Sequence, residues 1–160
     1  MTEPGFFSQD WAVAVGEALA AGPPELARSD KLPMYWDFFD KVKAGYASSW
    51  ALGCRDLPAG IAASPAYLHI QWGGGTVTGC HIAGPAERQQ ATYVLGMDYA
   101  GWQALHDGYD AQRTVMYRKI LLEEGNVLEF FKGIYFFTEC LALIGAVPAA
   151  FPELAAPQRH

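Results

Sequence analysis

The amino-acid sequence predicts an α+β domain in which helices cover one face of an antiparallel sheet. Segments with the two-residue period of strands lie together in the middle of the chain, and segments with helical spacing flank them. A length of 160 residues suits a single domain, 1–160, and is enough to bury a core without a metal or a disulfide. With 51% hydrophobic and 18% charged residues, the chain is too apolar to be intrinsically disordered.

Two helices are predicted before the sheet. Apolar residues recur at helical spacing over 9–21, Ser8 is placed to cap this helix, and a Gly-Pro-Pro stretch ends it. Pro33 suits the first position of a second helix, which runs to about Val42. The stretch 53–65 contains repeated glycine and proline, so we expect a loop there.

The central segments predict the strands of the sheet. Two strands over 66–72 and 76–82 are joined by three glycines, which favour a hairpin. A third strand is predicted over 91–97, and Asp98 is placed to cap the short helix that follows it. We expect a further strand over 114–122, although its apolar and polar residues do not alternate cleanly.

The last predicted helix is apolar on nearly every side. Asn126 and Glu129 have the spacing of a capping box, and the helix is expected to run from Val127 to about Gly145. A helix of this kind must be covered over most of its surface. We therefore expect part of it to line a pocket or to form a homodimer interface, in addition to packing in the core.

Charge and hydropathy exclude several classes of protein. The net charge of −6 and the pI near 5.1 exclude a nucleic-acid binder, because phosphate neutralisation requires a basic patch. The same balance disfavours peripheral binding to anionic membranes. The most apolar segment, 130–151, contains Lys132, Glu139 and Pro148, so we expect no integral membrane segment.

The cysteines predict neither a metal site nor a disulfide framework. Cys54, Cys80 and Cys140 are widely spaced and match no zinc-binding or redox motif. We expect them to be buried, reduced thiols in a cytoplasmic protein, since the first residues lack the basic and apolar regions of a signal peptide. No metal and no cofactor are predicted.

Several short segments of the second half resemble the sterol carrier protein type two family of lipid-transfer domains. They are 93–95 (Tyr-Val-Leu), the acidic-capped helix in 97–105, 116–120 (Met-Tyr-Arg-Lys-Ile) and the turn 124–126 (Glu-Gly-Asn) before the apolar last helix. Their order and spacing match the family over 66–148. The resemblance implies a five-stranded, mostly antiparallel sheet covered by helices, with an apolar tunnel between them. It leaves 1–65 as an N-terminal helical extension and 149–160 as a coil tail.

The resemblance also implies that the protein binds or carries a hydrophobic small molecule, such as a fatty acyl chain, a sterol-like ring system or a polyketide. Apolar residues at helical spacings, on the two elements that the family places around its tunnel, are the candidate ligand contacts. They are Trp102, Leu105, Phe130, Phe131, Ile134, Phe137 and Leu141. Arg118 and Lys119 are the best candidates to meet a carboxylate or a phosphate of the ligand.

Two other functions stay open. The first is a small enzyme or accessory protein that acts on a hydrophobic aromatic or polyketide intermediate, with acid–base groups from His69, His81, Tyr117 and Arg118. A hairpin turn centred on Gly74 would make the two histidines diagonal neighbours on one face, but ordinary surface or hydrogen-bonded histidines are the simpler interpretation. The second is a structural homodimerisation module built on the last helix.

Overall fold

The computed structural model describes residues 4–23, 29, 31–56, 66–84 and 90–151. The helices of these residues are α1 (Gln9–Ala21), α2 (Pro33–Ala44), α3 (Tyr99–His106), α4 (Ala111–Met116), α5 (Val127–Lys132) and α6 (Ile134–Ala146). The strands are β1 (Ser48–Cys54), β2 (Tyr67–Gly73), β3 (Thr76–Ala83), β4 (Tyr93–Met97) and β5 (Leu121–Glu124). Most of the loop predicted over 53–65 and most of the predicted tail lie outside the described residues.

The five described strands form one sheet in the order β3-β2-β1-β4-β5. β1 is antiparallel to β2 and parallel to β4, and the pairs β2–β3 and β4–β5 are antiparallel. The α+β class and the five strands are therefore confirmed, but the sheet is mixed rather than mostly antiparallel. The reason is that the β2–β3 hairpin lies on one side of β1, and the chain then crosses to the other side before β4 begins.

Strand β1 lies at the centre of the sheet and was not predicted from the sequence. Residues 50–54 are all buried, so the strand lacks the alternation of apolar and polar residues that identifies a half-exposed strand. Trp50 and Leu52 belong to the main core, whereas Ala51 packs with residues of the opposite face. The segment 1–65 thus contributes a central strand as well as two helices.

The strand predicted over 114–122 is wrong in its first half. Asp110 caps α4 by accepting a hydrogen bond from the Arg113 backbone N–H at 3.3 Å, and the Thr114 hydroxyl donates to the Asp110 carbonyl at 2.9 Å. These local bonds stabilise a helical turn instead of a strand. The chain then turns at Arg118, and β5 begins only at Leu121.

The long last helix is divided at Gly133, which separates α5 from α6. The predicted cap is confirmed, since the Asn126 side chain accepts a hydrogen bond from the Glu129 N–H at 3.0 Å. α6 is the central helix of the fold and contacts α1, α2, α3 and α4. Gly145 permits a close approach of α3, because a Cβ at this position would lie 2.7 Å from Leu105 Cγ.

The segment before α1 is held against the core. Phe6 and Phe7 are about 1% exposed, and the Phe6 N–H donates to the Ala150 carbonyl at 3.0 Å. Next to them, α1 packs along the edge strand β3, where the Gln9 side chain forms two 3.0 Å hydrogen bonds with the backbone of Ile82. The Gln9 amide thus forms hydrogen bonds with backbone groups that would lack a partner strand at an unprotected sheet edge.

Candidate functional site

A pocket of about 180 Å³ lies where β4, β5, α4, α5 and α6 meet. Nine of its ten lining residues are apolar, and the tenth is an arginine. The lining residues are Leu95, Val115, Arg118, Ile120, Leu121, Leu122, Val127, Phe130, Phe131 and Phe137. An apolar concave surface with one polar group is the usual form of a site for a hydrophobic ligand, because burial supplies affinity and the polar group supplies orientation.

Three of the seven predicted ligand contacts line this pocket, namely Phe130, Phe131 and Phe137. The other four lie elsewhere in the fold. The Trp102 indole N–H donates to the Gly53 carbonyl at 3.1 Å, and Leu105 packs under Gly145. Leu141 is fully buried in the core, and Ile134 packs against the core from the start of α6.

Aromatic rings fill the layer between the sheet and α6 next to the pocket. Phe136 lies 5.1 Å from Trp72 and 4.7 Å from Tyr46, measured between ring centroids. Phe137 lies 5.1 Å from Trp50 and also reaches the pocket. The pocket is therefore bounded on its inner side by the packed core, and its shape depends on Phe137.

Arg118 has an unusual backbone at the edge of the pocket. Its φ of 60° lies in the left-handed region, which costs an L-residue roughly 1–2 kcal/mol. Two backbone hydrogen bonds hold this turn, from the Arg118 N–H to the Val115 carbonyl at 3.1 Å and from the Lys119 N–H to the Thr114 carbonyl at 3.0 Å. A strained backbone persists only where surrounding contacts hold it in place. Such conformations are found more often at functional sites than elsewhere.

Arg118 also lines a second pocket of about 350 Å³ beside the apolar one. The neighbouring cations are engaged, because Arg55 pairs with Glu123 at 3.2 Å and the Lys119 ammonium lies 5.3 Å from the ring centre of Tyr109. Arg118 is exposed and forms no ion pair with any residue that the structure describes. Its guanidinium is the cation best placed to meet an anionic group of a bound molecule.

The four candidate catalytic residues do not form one site. His69 and His81 are directly paired across β2 and β3, with ring centroids 5.3 Å apart, and are not the predicted diagonal neighbours. Two one-residue displacements account for this difference. The turn is centred between Gly74 and Gly75 instead of on Gly74, and the register shifts once more between Gln71 and Trp72. His69 is paired with Ala51 of the smaller cluster, so the two histidines lie on the sheet face opposite the main core, away from the apolar pocket that Arg118 lines.

Tyr117 is 65% exposed beside Arg118 and lines neither of the two pockets. Within the described ranges, no group of three or more His, Cys, Asp or Glu side chains could hold a metal ion. None of the described helices is long and apolar enough to cross a bilayer.

The cysteines are poor nucleophiles. All three are free, with Cys54 and Cys140 buried and Cys80 half-buried. Burial raises the pKa of the Cys54 and Cys80 thiols to about 12 and holds that of Cys140 well above its usual range. Because the thiolate is the reactive form, these groups are unreactive near neutral pH.

A polar cluster that the sequence did not predict joins α2 to α6. Glu139, on the apolar last helix, accepts hydrogen bonds from the Tyr35 hydroxyl and from the Lys31 ammonium, the latter at 3.2 Å. The pKa of Tyr35 is raised, first by burial and then by the hydrogen bond to Glu139. A lone glutamate in an apolar helix could have indicated this cluster from the sequence, because a carboxylate in such surroundings requires hydrogen-bonding or charged partners.

The fold is similar to solved structures of sterol carrier proteins. A crystal structure of sterol carrier protein 2 matches with a TM-score of 0.65 and 20% identity, covering 89% of this chain and 99% of that one. The solution structure of a conserved hypothetical protein from Thermus thermophilus, described as possibly a sterol carrier protein, matches with a TM-score of 0.64 and 18% identity. That match covers 93% of this chain and 97% of the other.

These matches confirm that the chain has the fold of sterol carrier protein 2. The structural likeness covers more of the chain than the segments at 66–148 that carry the resemblance in the sequence. No protein-family model and no curated protein matches the sequence.

Proposed function

We propose that this protein binds a hydrophobic small molecule whose apolar part lies in the pocket at α5 and whose anionic end meets Arg118. The observation that carries the proposal is a pocket lined by nine apolar residues and one arginine that has no ion pair within the described chain. Two neighbours of the same fold support it, one named sterol carrier protein 2 and one described as possibly a sterol carrier protein.

The chemistry of the lining favours an acyl chain with a charged head. Each buried methylene contributes about 0.8 kcal/mol, so even a partly buried chain supplies useful affinity. A charge-assisted hydrogen bond from Arg118 would add about 1.5–3 kcal/mol when well shielded and less at an exposed site. A fatty acid satisfies both requirements, whereas a neutral sterol would leave the guanidinium unused.

The pocket must enlarge to take a long chain. Its volume of about 180 Å³ is below the roughly 300–1,000 Å³ of common ligand sites. α5 is suited to move, because Phe130 is its one buried residue and glycines lie at both ends. Gly125 has a φ of 125° that other residues rarely adopt, and Gly133 separates α5 from α6. We propose that α5 shifts outward when the ligand enters.

Carriage fits the geometry better than catalysis. The histidine pair is separated from the apolar pocket by the sheet, and the thiols are buried with raised pKa values. Transport between membranes, a homodimer and a cytoplasmic location stay predictions.

A substitution that fills the pocket with a larger side chain tests this function. Val115 lines the pocket from α4, and the Val115→Phe substitution would occupy space that the ligand needs. We expect the affinity for a fluorescent fatty acid to fall about tenfold or more. Val13→Phe is the matched control, since Val13 is 55% exposed on α1. Unchanged binding by a folded Val115→Phe protein would show that the ligand lies elsewhere.

A further inference from the structure

The Lys31 ammonium lies in a corner formed by two aromatic rings and a carboxylate. The Tyr35 and Trp36 rings are 5.0 Å apart between centroids and stand at 89° to each other. The Lys31 Nζ is 5.0 Å from the centre of the Tyr35 ring and 5.8 Å from that of Trp36, and it lies 3.2 Å from a carboxylate oxygen of Glu139. Aromatic rings around a cation are the chemistry by which proteins recognise ammonium groups, and Glu139 adds the opposite charge. We call Tyr35, Trp36 and Glu139 the ammonium corner.

The ammonium corner opens into a cleft of about 660 Å³ that involves the start of α2, α4 and the start of α6. Lys31 is the only charged residue among its described lining residues, which are Ser29, Lys31, Leu32, Pro33, Tyr35, Gln112 and Tyr135. None of these residues lines the apolar pocket. The Tyr135 ring lies 5.7 Å from that of Tyr35 and Tyr135 is 47% exposed, so a third aromatic group lies next to the corner and faces solvent. The cleft therefore leads from solvent to the place that the Lys31 ammonium holds.

Stability alone does not account for the charges of the ammonium corner. Glu139 is the one charged residue of α6, and its side chain is only 12% exposed. Replacing a buried ion pair by apolar side chains often leaves a protein equally stable or more stable, so a carboxylate in an apolar helix points to another use. The Lys31 side chain is 38% exposed, and ion pairs of exposed lysines contribute little to folding. Lys31 can therefore leave the corner at little cost.

We propose that the cleft binds a small molecule with a quaternary ammonium group, which displaces the Lys31 side chain and occupies its place in the ammonium corner. A trimethylammonium group keeps the positive charge that Glu139 requires, and its methyl groups contact more of the two rings than a lysine ammonium does. An anionic ligand is disfavoured, because it would leave Glu139 without a cation in a chain that already carries −6. This site is separate from the apolar pocket and does not depend on the proposed function.

Titration with choline, followed by NMR, tests the proposal. Wild-type protein should bind choline but not 3,3-dimethylbutanol, which has the same shape without the charge. Lys31→Gln should raise the affinity for choline about two- to fivefold, because the competing ammonium is gone. Lys41→Gln is the matched control, since Lys41 is exposed on α2 and forms no ion pair with the described residues. The same change of charge at this position should leave the affinity unaltered.

Removal of the carboxylate should have the opposite effect. Glu139→Gln keeps the size of the side chain, and its amide oxygen can still accept the hydrogen bond from the Tyr35 hydroxyl. The affinity for choline should nevertheless fall on the order of tenfold, because the opposite charge is lost. Circular dichroism should match that of the wild type, so the loss would not reflect unfolding.

Several results would overturn the ammonium site. They are the absence of choline binding in both the wild type and Lys31→Gln, equal binding of the neutral alcohol, an equal gain in Lys41→Gln, and unchanged affinity in Lys31→Gln or Glu139→Gln. Dihexanoylphosphatidylcholine, used below its critical micelle concentration, identifies the source of the ammonium group. Tighter binding of this lipid than of choline, strengthened by Lys31→Gln, would assign the site to a lipid headgroup. Tighter binding of choline would assign it to a free ammonium compound.

Discussion

Replacing Arg118 by asparagine separates two effects of this residue, namely the strain of its left-handed backbone on stability and the contribution of its charge to ligand binding. Asparagine tolerates the left-handed region and is neutral, so Arg118→Asn keeps the turn and removes the guanidinium. No ion pair within the described chain is lost. We expect the free energy of unfolding to stay the same or to rise by up to ~1 kcal/mol, because part of the backbone strain is relieved.

The same substitution should weaken the binding of acids alone. The guanidinium is exposed, so its contribution lies below the range of about 1.5–3 kcal/mol for shielded hydrogen bonds to charged groups, at about 1 kcal/mol or roughly fivefold in affinity. Binding of a long-chain fatty acid should fall by about this factor, whereas the alcohol of the same chain length should bind as before. Fluorescence titration with both ligands measures the difference directly.

Arg113→Asn is the matched control, because Arg113 is also exposed on this side of the fold but does not line the pocket. Three results would refute the reasoning. The first is equal acid affinity in the two variants. The second is an equal loss for the acid and the alcohol, which would indicate a change of pocket shape. The third is a lower stability of Arg118→Asn, measured by denaturant unfolding.

Two further predictions concern the framework of the fold. Gly145→Val should lower the free energy of unfolding by about 1–3 kcal/mol, because a Cβ at this position would lie 2.7 Å from Leu105 Cγ. Gly45→Val is the control and should cost less, since a Cβ there meets nothing within 4 Å. Equal losses of stability in the two variants would contradict the close packing of Gly145. The pKa of Tyr35 is raised above its usual 10.0, so the stabilising effect of its protonated form is complete below pH 10 and is lost as the pH rises beyond it. Denaturant unfolding should therefore show a shallower alkaline decline for Tyr35→Phe, and an identical slope would contradict the assignment.

The parts of the fold that could be predicted are those in which neighbouring residues decide the structure. The Ser8 cap, the β2–β3 hairpin and the Asn126 cap all depend on residues within a few positions of each other. The wrong strand over 114–122 also has a local cause, since the Asp110 cap determines α4 and carried a readable signal. The apolar residues that follow it were compatible with either structure.

The parts that could not be predicted depend on tertiary packing. β1 has no alternation, because its residues are covered on both faces, and this becomes visible only when the sheet is assembled. The histidine register depends on a shift at Gln71 that the glycine turn does not reveal. For the candidate site, the sequence could identify the phenylalanines of the last helical region and Arg118. It could not show which of the predicted apolar contacts pack in the core instead of lining the pocket.

A crystal structure of the protein with a bound long-chain fatty acid tests the central claim most directly. The account predicts the carboxylate within hydrogen-bond distance of the Arg118 guanidinium, about 2.7–3.2 Å. It also predicts the acyl chain between Phe130 and Phe137, with α5 displaced outward relative to α6. A fatty acid bound elsewhere, for example on the sheet face that carries His69 and His81, would contradict the account.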